Sequence, residues 1–324
     1  MTNLYHEDIY KFEKPVKSYW ESTIDTNNNY KTLDTDINTN VVVIGGGYTG
    51  LSCALSLVKK HNEDVVLLEA GHIGWGSSGR NAGFCCIPPA KMSVKKMFKK
   101  YGRTETKKFF QNTIEGSNFT KSIIKEYDID CDLTGDSNFE VAPHPSYFEN
   151  IKEEAETYKK EFGIETEVFT REEFNEIGHG GNEQFGAMSY KPGFAINPLK
   201  FLIGLAKTAN EAGVKIFQKS KVTKIEKVNG KYKIISNNQI INANKIVMAT
   251  NGFYKDDIFP KLNNMILPVI SNIIITRPLT NEEIDSHNFI TRNPVLNIRN
   301  LLFYYRLLKD NRFLFGARGD LIGS

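Results

Sequence analysis

A glycine-rich turn directly after a run of β-branched residues limits the folds open to this chain. The run VVVIGG at 41–46 is typical of a strand buried on both faces of a parallel sheet. Apolar residues then recur at helical spacing between Leu51 and Val58, and VVLLEA at 65–70 is a second buried run. The order strand, helix, strand predicts a βαβ unit and therefore an α/β fold.

The turn reads Gly45-Gly46-Gly47-Tyr48-Thr49-Gly50, a GxGxxG pattern between the predicted strand and helix. Gly45 permits the tight turn, Gly47 lets a pyrophosphate approach the backbone, and Gly50 lets helix pack on strand. The free N–H groups of a helix N-terminus favour that anion. Glu69 ends the second strand, where a carboxylate accepts hydrogen bonds from ribose hydroxyls. The pattern predicts a Rossmann-like dinucleotide site.

A second glycine-rich segment distinguishes between dinucleotides. Residues 71–83, GHIGWGSSGRNAG, form a donor-rich loop that follows Glu69 directly. Such a loop is suited to wrap the pyrophosphate and ribityl chain of FAD, and an NAD domain rarely needs one. The alternative is a surface loop rich in turn residues. We interpret the segment as part of an FAD site.

The rest of the chain indicates a second domain inserted into the first. Residues 95–190 alternate amphipathic helices with short strand-like pieces, as in an α+β substrate domain. Strand-like segments joined at Asn229-Gly230 and Asn237-Asn238 then predict a β-meander. The expected division is an N-terminal arm at 1–39, an FAD-binding domain at 40–93 and 194–259, and a substrate domain at 94–193 and 260–324.

Charge and cysteine content exclude several other classes of protein. The 41 Lys and Arg residues are interspersed with 38 Asp and Glu residues, so nothing points to nucleic acid. The four cysteines lack metal-ligand spacing, and the polar N-terminus lacks a secretory signal, which favours the cytoplasm. The apolar stretch 265–276 falls short of the ~20 residues of a transmembrane helix. We expect no transmembrane segment, and a buried strand at this stretch.

Six strings of the sequence carry a resemblance to a known family. They are SYWEST, VVVIGGGYTGLSCALSL, VVLLEAGHIGWGSSGRNAGF, KIVMATNG, LPVISNIIITRPL and YYRLLKDNRFLFGARGD. On these strings the chain resembles the FAD-dependent amine and D-amino acid oxidase family, closest to its bacterial branch of γ-glutamylputrescine oxidoreductase-like flavoproteins. The first three strings are specific to that family, and the other three are supportive.

The resemblance extends the predicted cofactor site. It implies that Glu69 binds the ribose, that the backbone of Val222 meets the adenine, and that the segment around Thr250 closes over the pyrophosphate. The predicted cofactor-binding residues are Gly45, Gly47, Tyr48, Thr49, Gly50, Glu69, Ala70, Ser78, Arg80, Asn81, Ala82, Gly83, Val222, Ala249, Thr250 and Gly252. Arg80 stands where some relatives carry a flavin-attaching histidine, so we expect FAD to be held without a covalent bond. No metal site is predicted.

The resemblance also implies a reaction. Family members oxidise a C–N bond of a primary or secondary amine or an amino acid, with hydride transfer to flavin N5 and hydrolysis of the resulting imine. The electron acceptor is oxygen or a carrier. No catalytic base is assigned. Candidate substrate contacts are Tyr304, Tyr305 and Arg306, and Arg306 is suited to hold a carboxylate through two hydrogen bonds. Core tyrosines with a surface arginine are an equally good interpretation.

Two alternative functions remain open. An FAD-dependent dehydrogenase of a hydroxy substrate would use the same fold, although the basic cluster expected for a glycerol phosphate is not evident in the sequence. Relatives also continue past the strand RFLFGARGD into a segment that covers the flavin ring, whereas this chain ends at Ser324. That ending predicts a C-terminally truncated member without the closing segment. A non-catalytic dinucleotide-binding remnant is therefore the second alternative.

Overall fold

The computed structural model describes residues 7–24, 29–87, 92–254, 258, 262, 265–266, 269–299 and 301–318. The strands, in chain order, are β1 (Ile37–Ile44), β2 (Val65–Leu68), β3 (Phe84–Cys86), β4 (Asn138–Val141), β5 (Glu165–Phe169), β6 (Ala187–Lys191), β7 (Gly193–Ala195), β8 (Lys215–Phe217), β9 (Val222–Val228), β10 (Lys231–Ser236), β11 (Gln239–Met248), β12 (Ser271–Pro278), β13 (Val295–Asn297), β14 (Tyr304–Leu307) and β15 (Arg312–Arg318). The helices are α1 (Tyr48–His61), α2 (Val94–Glu126), α3 (Pro145–Phe162), α4 (Arg171–Ile177), α5 (Pro198–Glu211) and α6 (Asn281–Ser286).

The first sheet is a parallel core extended by a meander. Its order within the described residues is β8-β2-β1-β11-β10-β9. Strand β1 pairs in parallel with β2 and β11, and β2 pairs in parallel with β8. All four residues of β2 are buried, and so are the last four of β1, because helices cover one face of this sheet and the meander curls over the other. The predicted βαβ unit and α/β class are confirmed.

The meander β9-β10-β11 is antiparallel, as the turn dipeptides predict. Asn229 and Gly230 have φ values of 50° and 81°, and Asn237 and Asn238 have values of 50° and 64°. These left-handed conformations suit two-residue hairpin loops. The β-meander prediction is therefore confirmed.

The second sheet is the mixed sheet β12-β15-β14-β13-β4-β6-β5. Helices α2 and α3 pack over one face, where Phe110, Tyr158 and Tyr190 are buried together. Helix α4 covers part of the other face through Phe174. Helix α2 is broken at Gly102, whose φ of 78° is not helical. The strands and helices between residues 94 and 193 fit the expected α+β domain.

The expectation of a buried strand at 265–276 is wrong. The strand begins only at Ser271, forms the edge of the second sheet and pairs with β15 alone. Ile274 is 65% exposed, and Met265 is 71% exposed. Apolar composition predicted burial, but the described residues place no layer over this edge.

The N-terminal arm packs along the body of the protein. Nε1 of Trp20, a buried side chain, donates to the backbone oxygen of Asn81 at 3.0 Å, and the hydroxyl of Tyr19 donates to Asp310 at 2.9 Å. Strand β1 already begins at Ile37, two residues before the predicted end of the arm. None of the described helices is long and apolar enough to span a bilayer.

Candidate functional site

The glycine turn between β1 and α1 forms the floor of an open pocket. Gly45 has a φ of 111°, and a Cβ atom there would lie 2.5 Å from the backbone oxygen of Ala249. A Cβ on Gly50 would overlap the backbone oxygen of Gly45, so Gly50 allows the helix to pack on the turn. A Cβ on Gly47 would instead meet the hydroxyl of Ser78 at 2.9 Å, inside the pocket. Gly47 therefore keeps space free rather than shaping the turn.

The N-terminus of α1 opens into this pocket. The N–H of Tyr48 donates to Oγ of Ser78 at 3.2 Å, and Gly47 provides no side-chain cap. The first turn of α1 carries no acid, whereas its last turn carries Lys59, Lys60 and His61. Both features leave the positive end of the helix dipole available to an anion such as a pyrophosphate.

Glu69 lies beside the glycine turn at the end of β2. Its Oε2 accepts from the N–H of Gly46 at 2.7 Å, and its Oε1 accepts from the N–H of Gly71 at 2.8 Å. Burial raises the pKa of this carboxyl, and the two amides oppose that change. The amides fix the orientation of the carboxylate. Each oxygen keeps a further lone pair, so the group can accept hydrogen bonds from a ribose.

Aromatic side chains close one side of the pocket, and part of this wall comes from the arm. The rings of Phe12 and Trp75 are 4.8 Å apart, and those of Trp75 and Phe253 are 5.5 Å apart. Nε1 of Trp75 donates to the backbone oxygen of Lys14 at 2.8 Å. The sequence interpretation did not identify this wall, because its members are distant in sequence and no motif marks them.

The loop after Glu69 leads from this pocket to the second sheet. Asn81 organises it: Nδ2 donates to the backbone oxygens of Ser77 and Ser78, and Oδ1 accepts from the N–H of Gly83 at 2.7 Å. The guanidinium of Arg80 lies 5.0 Å from the centre of the Trp75 ring. A Cβ on Gly83 would come within 3.0 Å of Nη2 of Arg306. The loop therefore connects the dinucleotide pocket with β14.

Arg306 is buried where that loop meets β14. Only 3% of its surface is exposed, and its guanidinium lies 5.6 Å from the ring of Trp20 and 6.0 Å from that of Phe84. Nη2 donates to the backbone oxygen of Ile196 at 2.7 Å, while Nε has no hydrogen-bond partner within the described chain. Burial lowers the pKa of Arg306 to about 10, so the group remains a cation at neutral pH.

The two tyrosines of β14 point to opposite faces of the sheet, because side chains alternate along a strand. Tyr304 shares the face of Arg306, 6.0 Å from the Phe84 ring, and its hydroxyl lies 2.7 Å from that of Ser271. The hydroxyl of Tyr305 lies 2.9 Å from Nε2 of His179 on the other face. The structure therefore brings Tyr304 and Arg306 together and separates Tyr305 from them.

The predicted cofactor residues fall into two groups. Those that line the dinucleotide pocket are Gly45, Gly47, Tyr48, Thr49, Glu69, Ala70, Ser78, Val222, Ala249 and Thr250. Gly50 and Gly252 lie next to these in sequence, and the other group, Arg80, Asn81, Ala82 and Gly83, follows the loop towards β14. Lining residues that the sequence interpretation did not name include Tyr10, Phe12, Trp75, Lys221 and Tyr254.

The cysteines contribute no reactive thiol to this region. Burial raises the pKa of Cys85, Cys86 and Cys131 to about 12, which keeps their thiols neutral. In the described ranges, no group of His, Cys, Asp and Glu side chains is arranged to hold a metal ion.

The fold and pocket define a dinucleotide-binding protein of the flavoenzyme type. The profile of the family described as FAD dependent oxidoreductase matches residues 40–323. The chain belongs to this family, and FAD is its cofactor. It is 30% identical over 305 residues to the γ-glutamylputrescine oxidoreductase of Escherichia coli K12, covering 93% of this chain and 70% of that protein.

Solved structures share the fold at lower identity. Glycine oxidase from Geobacillus kaustophilus superposes with a TM-score of 0.66 at 16% identity, covering 89% of this chain and 73% of that one. The FAD-bound L-α-glycerophosphate oxidase of Mycoplasma pneumoniae gives a TM-score of 0.63 at 17% identity, covering 87% of this chain and 73% of that one. These matches confirm the predicted combination of an FAD-binding domain with a second domain.

The pocket suits the adenosine diphosphate half of FAD. Its floor lacks side chains where a pyrophosphate must approach α1, and the space at Gly47 is one that a Cβ would fill. The Glu69 carboxylate faces the same pocket with acceptor capacity left over. An acid here also repels the 2′-phosphate of an NADP-type ligand.

Proposed function

We propose that the protein oxidises a C–N bond in a primary or secondary amine or an amino acid. Bound FAD supplies the acceptor for the hydride that leaves the substrate carbon. The product is an imine, which water hydrolyses to a carbonyl compound and an amine or ammonia. The family supports the redox chemistry, and the name of the Escherichia coli relative supports an amine substrate.

Arg306 is the observation that carries the substrate assignment. A buried guanidinium with an unpartnered Nε is costly unless an anion completes its hydrogen bonds. A substrate carboxylate fits this need, because it matches the planar guanidinium with two hydrogen bonds. The nearby carboxylate of Asp132 is already bonded to Lys200 at 2.9 Å and to Lys309 at 3.3 Å. Arg306 would therefore orient substrates that carry a carboxylate.

The other residues of the proposed site position groups and exclude water. We assign the adenosine and pyrophosphate to the glycine turn and Glu69, and the remainder of FAD to the loop through Asn81 and Gly83. Tyr304 and Phe84 form an aromatic surface next to Arg306. No residue is assigned as a catalytic base, since an uncharged amine can lose hydride without one. The domain division given by the sequence remains part of this proposal.

The cofactor is proposed to be non-covalently held, with oxygen or an electron carrier as the final acceptor. The support is the chemistry of the loop: Arg80 occupies the position of the attaching histidine, and a guanidinium is a poor nucleophile. The nearby thiols of Cys85 and Cys86 are buried and neutral, so they are equally unsuited to attack a flavin.

Anaerobic flavin bleaching tests the proposed function. The FAD-loaded protein should lose its absorbance near the flavin maximum with an amine that carries a carboxylate, and not with the matched hydroxy acid. Bleaching by the hydroxy acid or by a glycerol phosphate, with no response to any amine, would replace the proposal with the hydroxy-dehydrogenase alternative. A loaded protein that responds to neither class would support the non-catalytic alternative.

A further inference from the structure

Glu140 lies on the same face of the second sheet as Tyr304 and Arg306. Leu296 in β13 is paired both with Tyr304 in β14 and with Glu140 in β4. Directly paired residues point to the same face, and neighbouring strands are about 4.8 Å apart. Glu140 is therefore two strands from Tyr304, roughly 10 Å away at the backbone. Phe139 and Val141 point to the opposite face, where Tyr305 also lies.

Glu140 is a buried carboxyl without a counter-charge. It is 2% exposed, and its Oε1 has no hydrogen-bond partner among the residues described. The neighbouring hydroxyl of Tyr190 donates to the backbone oxygen of Ile87 at 3.0 Å. No lysine, arginine or histidine in the described ranges forms an ion pair with Glu140. Burial, with the nearby carboxyl of Glu154, raises the pKa of Glu140 to about 8.

A cavity of about 570 Å³ adjoins this carboxyl. Helix α3 contributes the acids Glu153 and Glu154 and the amide of Asn150 to its wall. The basic residues on the wall are Lys95, Lys96 and Arg299. Both lysines are exposed, and Arg299 is held by Glu183 at 2.6 Å. The buried end of the cavity is therefore acidic and unneutralised, while the cations lie at its rim.

We propose that Glu140, supported by Glu154, binds a second ammonium group of the substrate, remote from the C–N bond that is oxidised. This inference rests on the proposed function and narrows its substrates to diamines and to amino acids with an additional amine. An ammonium ion supplies both the charge and the hydrogen-bond donors that the buried carboxyl lacks. Arg306 and Glu140, on one face of the sheet, would then recognise groups of opposite charge.

The test compares diaminobutane, with amino groups at both ends, with aminobutane, which has only one. Anaerobic calorimetry on the chemically reduced, FAD-loaded protein measures binding without turnover, because reduced flavin accepts no further hydride. Diaminobutane should bind about 10- to 100-fold more tightly than aminobutane. Glu140→Gln should bring that ratio close to one. Glu156→Gln, an exposed residue of α3 outside the cavity wall, is the matched control and should keep the wild-type ratio.

Two results would overturn the inference: equal affinities for the two amines in the wild type, or an unchanged ratio in Glu140→Gln. Thermal unfolding checks that the variant is folded, and removal of an unpartnered charge should not destabilise it. The outcome is separable from the proposed function. If no amine bleaches the flavin but the binding ratio behaves as expected, the ammonium site stands and the oxidation proposal fails.

Discussion

The N–H of Gly46 donates a 2.7 Å hydrogen bond to Oε2 of Glu69, which joins the glycine turn to the acid at the end of the neighbouring strand. The turn and the acid are 23 residues apart in sequence. The bond orients a carboxylate and a helix N-terminus towards one pocket, as adenosine diphosphate binding requires. The turn and the carboxylate therefore act as one unit, and changes to either should alter flavin affinity.

Glu69→Gln should weaken FAD binding. The amide that replaces one carboxylate oxygen would face an N–H donor of Gly46 or Gly71, and it would be a poorer acceptor for the ribose. We expect the dissociation constant to rise about 10-fold or more, measured by flavin fluorescence titration. Glu63→Gln is the control, because that carboxylate bonds Lys245 outside the pocket. Equal affinities of the two variants for FAD would contradict the role of Glu69.

Substitutions at two glycines of the same turn should have different effects. Gly47→Val places atoms in the pocket next to Ser78, so the variant should fold but lose flavin. Gly50→Ala brings its Cβ into the backbone oxygen of Gly45 and should lower the melting temperature of the protein itself. Flavin content and thermal unfolding of the purified variants separate the two effects. Full flavin occupancy in Gly47→Val would exclude the pyrophosphate assignment.

Arg306→Met should impair turnover of amines that carry a carboxylate while leaving the fold intact. Methionine fills similar space and removes an incompletely paired buried charge, so stability should hold. The loss of two charge-assisted hydrogen bonds should reduce kcat/KM for the carboxylate substrate by about 10- to 100-fold, with little change for its methyl ester. Arg312→Met, which removes a partner of Asp310, serves as the control. An equal loss for acid and ester would assign Arg306 a structural role only.

The pKa of Glu140 predicts a pH-dependent stability. Its folded-state pKa of about 8 lies above the ordinary carboxyl value, so the folded protein binds more protons than the unfolded chain between about pH 4.5 and 8. The free energy of unfolding should therefore fall as pH rises through this range, by up to ~1.4 kcal/mol per pH unit from this group. Above pH 8 the loss should level off.

Denaturant unfolding of the wild type and Glu140→Gln at a series of pH values measures this contribution. The variant lacks the titrating group, so its advantage over the wild type should grow from pH 5 to pH 8. A stability difference independent of pH would show that Glu140 is ionised throughout and has a counter-ion.

The first part of the chain was the most predictable. Buried parallel strands and the turn glycines are encoded locally, so β1, α1, β2 and the hairpins of the meander could be predicted from short segments. The contacts of the arm could not, because Phe12 and Trp75 lie far apart in sequence and carry no shared motif. The apolar residues of β12 suggested burial, whereas its place at a sheet edge is decided by the whole topology.

The second part of the site depended on strand register. Tyr304, Tyr305 and Arg306 were grouped by proximity in sequence, but alternation along β14 directs Tyr305 to His179 on the far face. Glu140 gave no signal at all, since a single acid in a short strand is usually a solvent-facing residue. Its burial follows from the pairing of β4 with β13 and β6, which the local sequence does not specify.

Acid precipitation tests how FAD is held. The flavin should remain in the supernatant as intact FAD, because neither Arg80 nor the buried thiols of Cys85 and Cys86 are suited to a covalent link. A control flavoprotein with covalent flavin should give a yellow pellet under the same treatment. A coloured pellet from this protein would show attachment to a residue outside that loop or an unexpected reaction within it.

A single anaerobic turnover tests C–N bond oxidation most directly. The FAD-loaded protein is mixed with an excess of an amine that carries a carboxylate, and flavin reduction, carbonyl product and released ammonia are measured together. We predict one carbonyl and one ammonia for each flavin reduced, with no reduction by the matched hydroxy acid. Flavin that stays oxidised with every amine, or is reduced by the hydroxy acid instead, would contradict the proposed function.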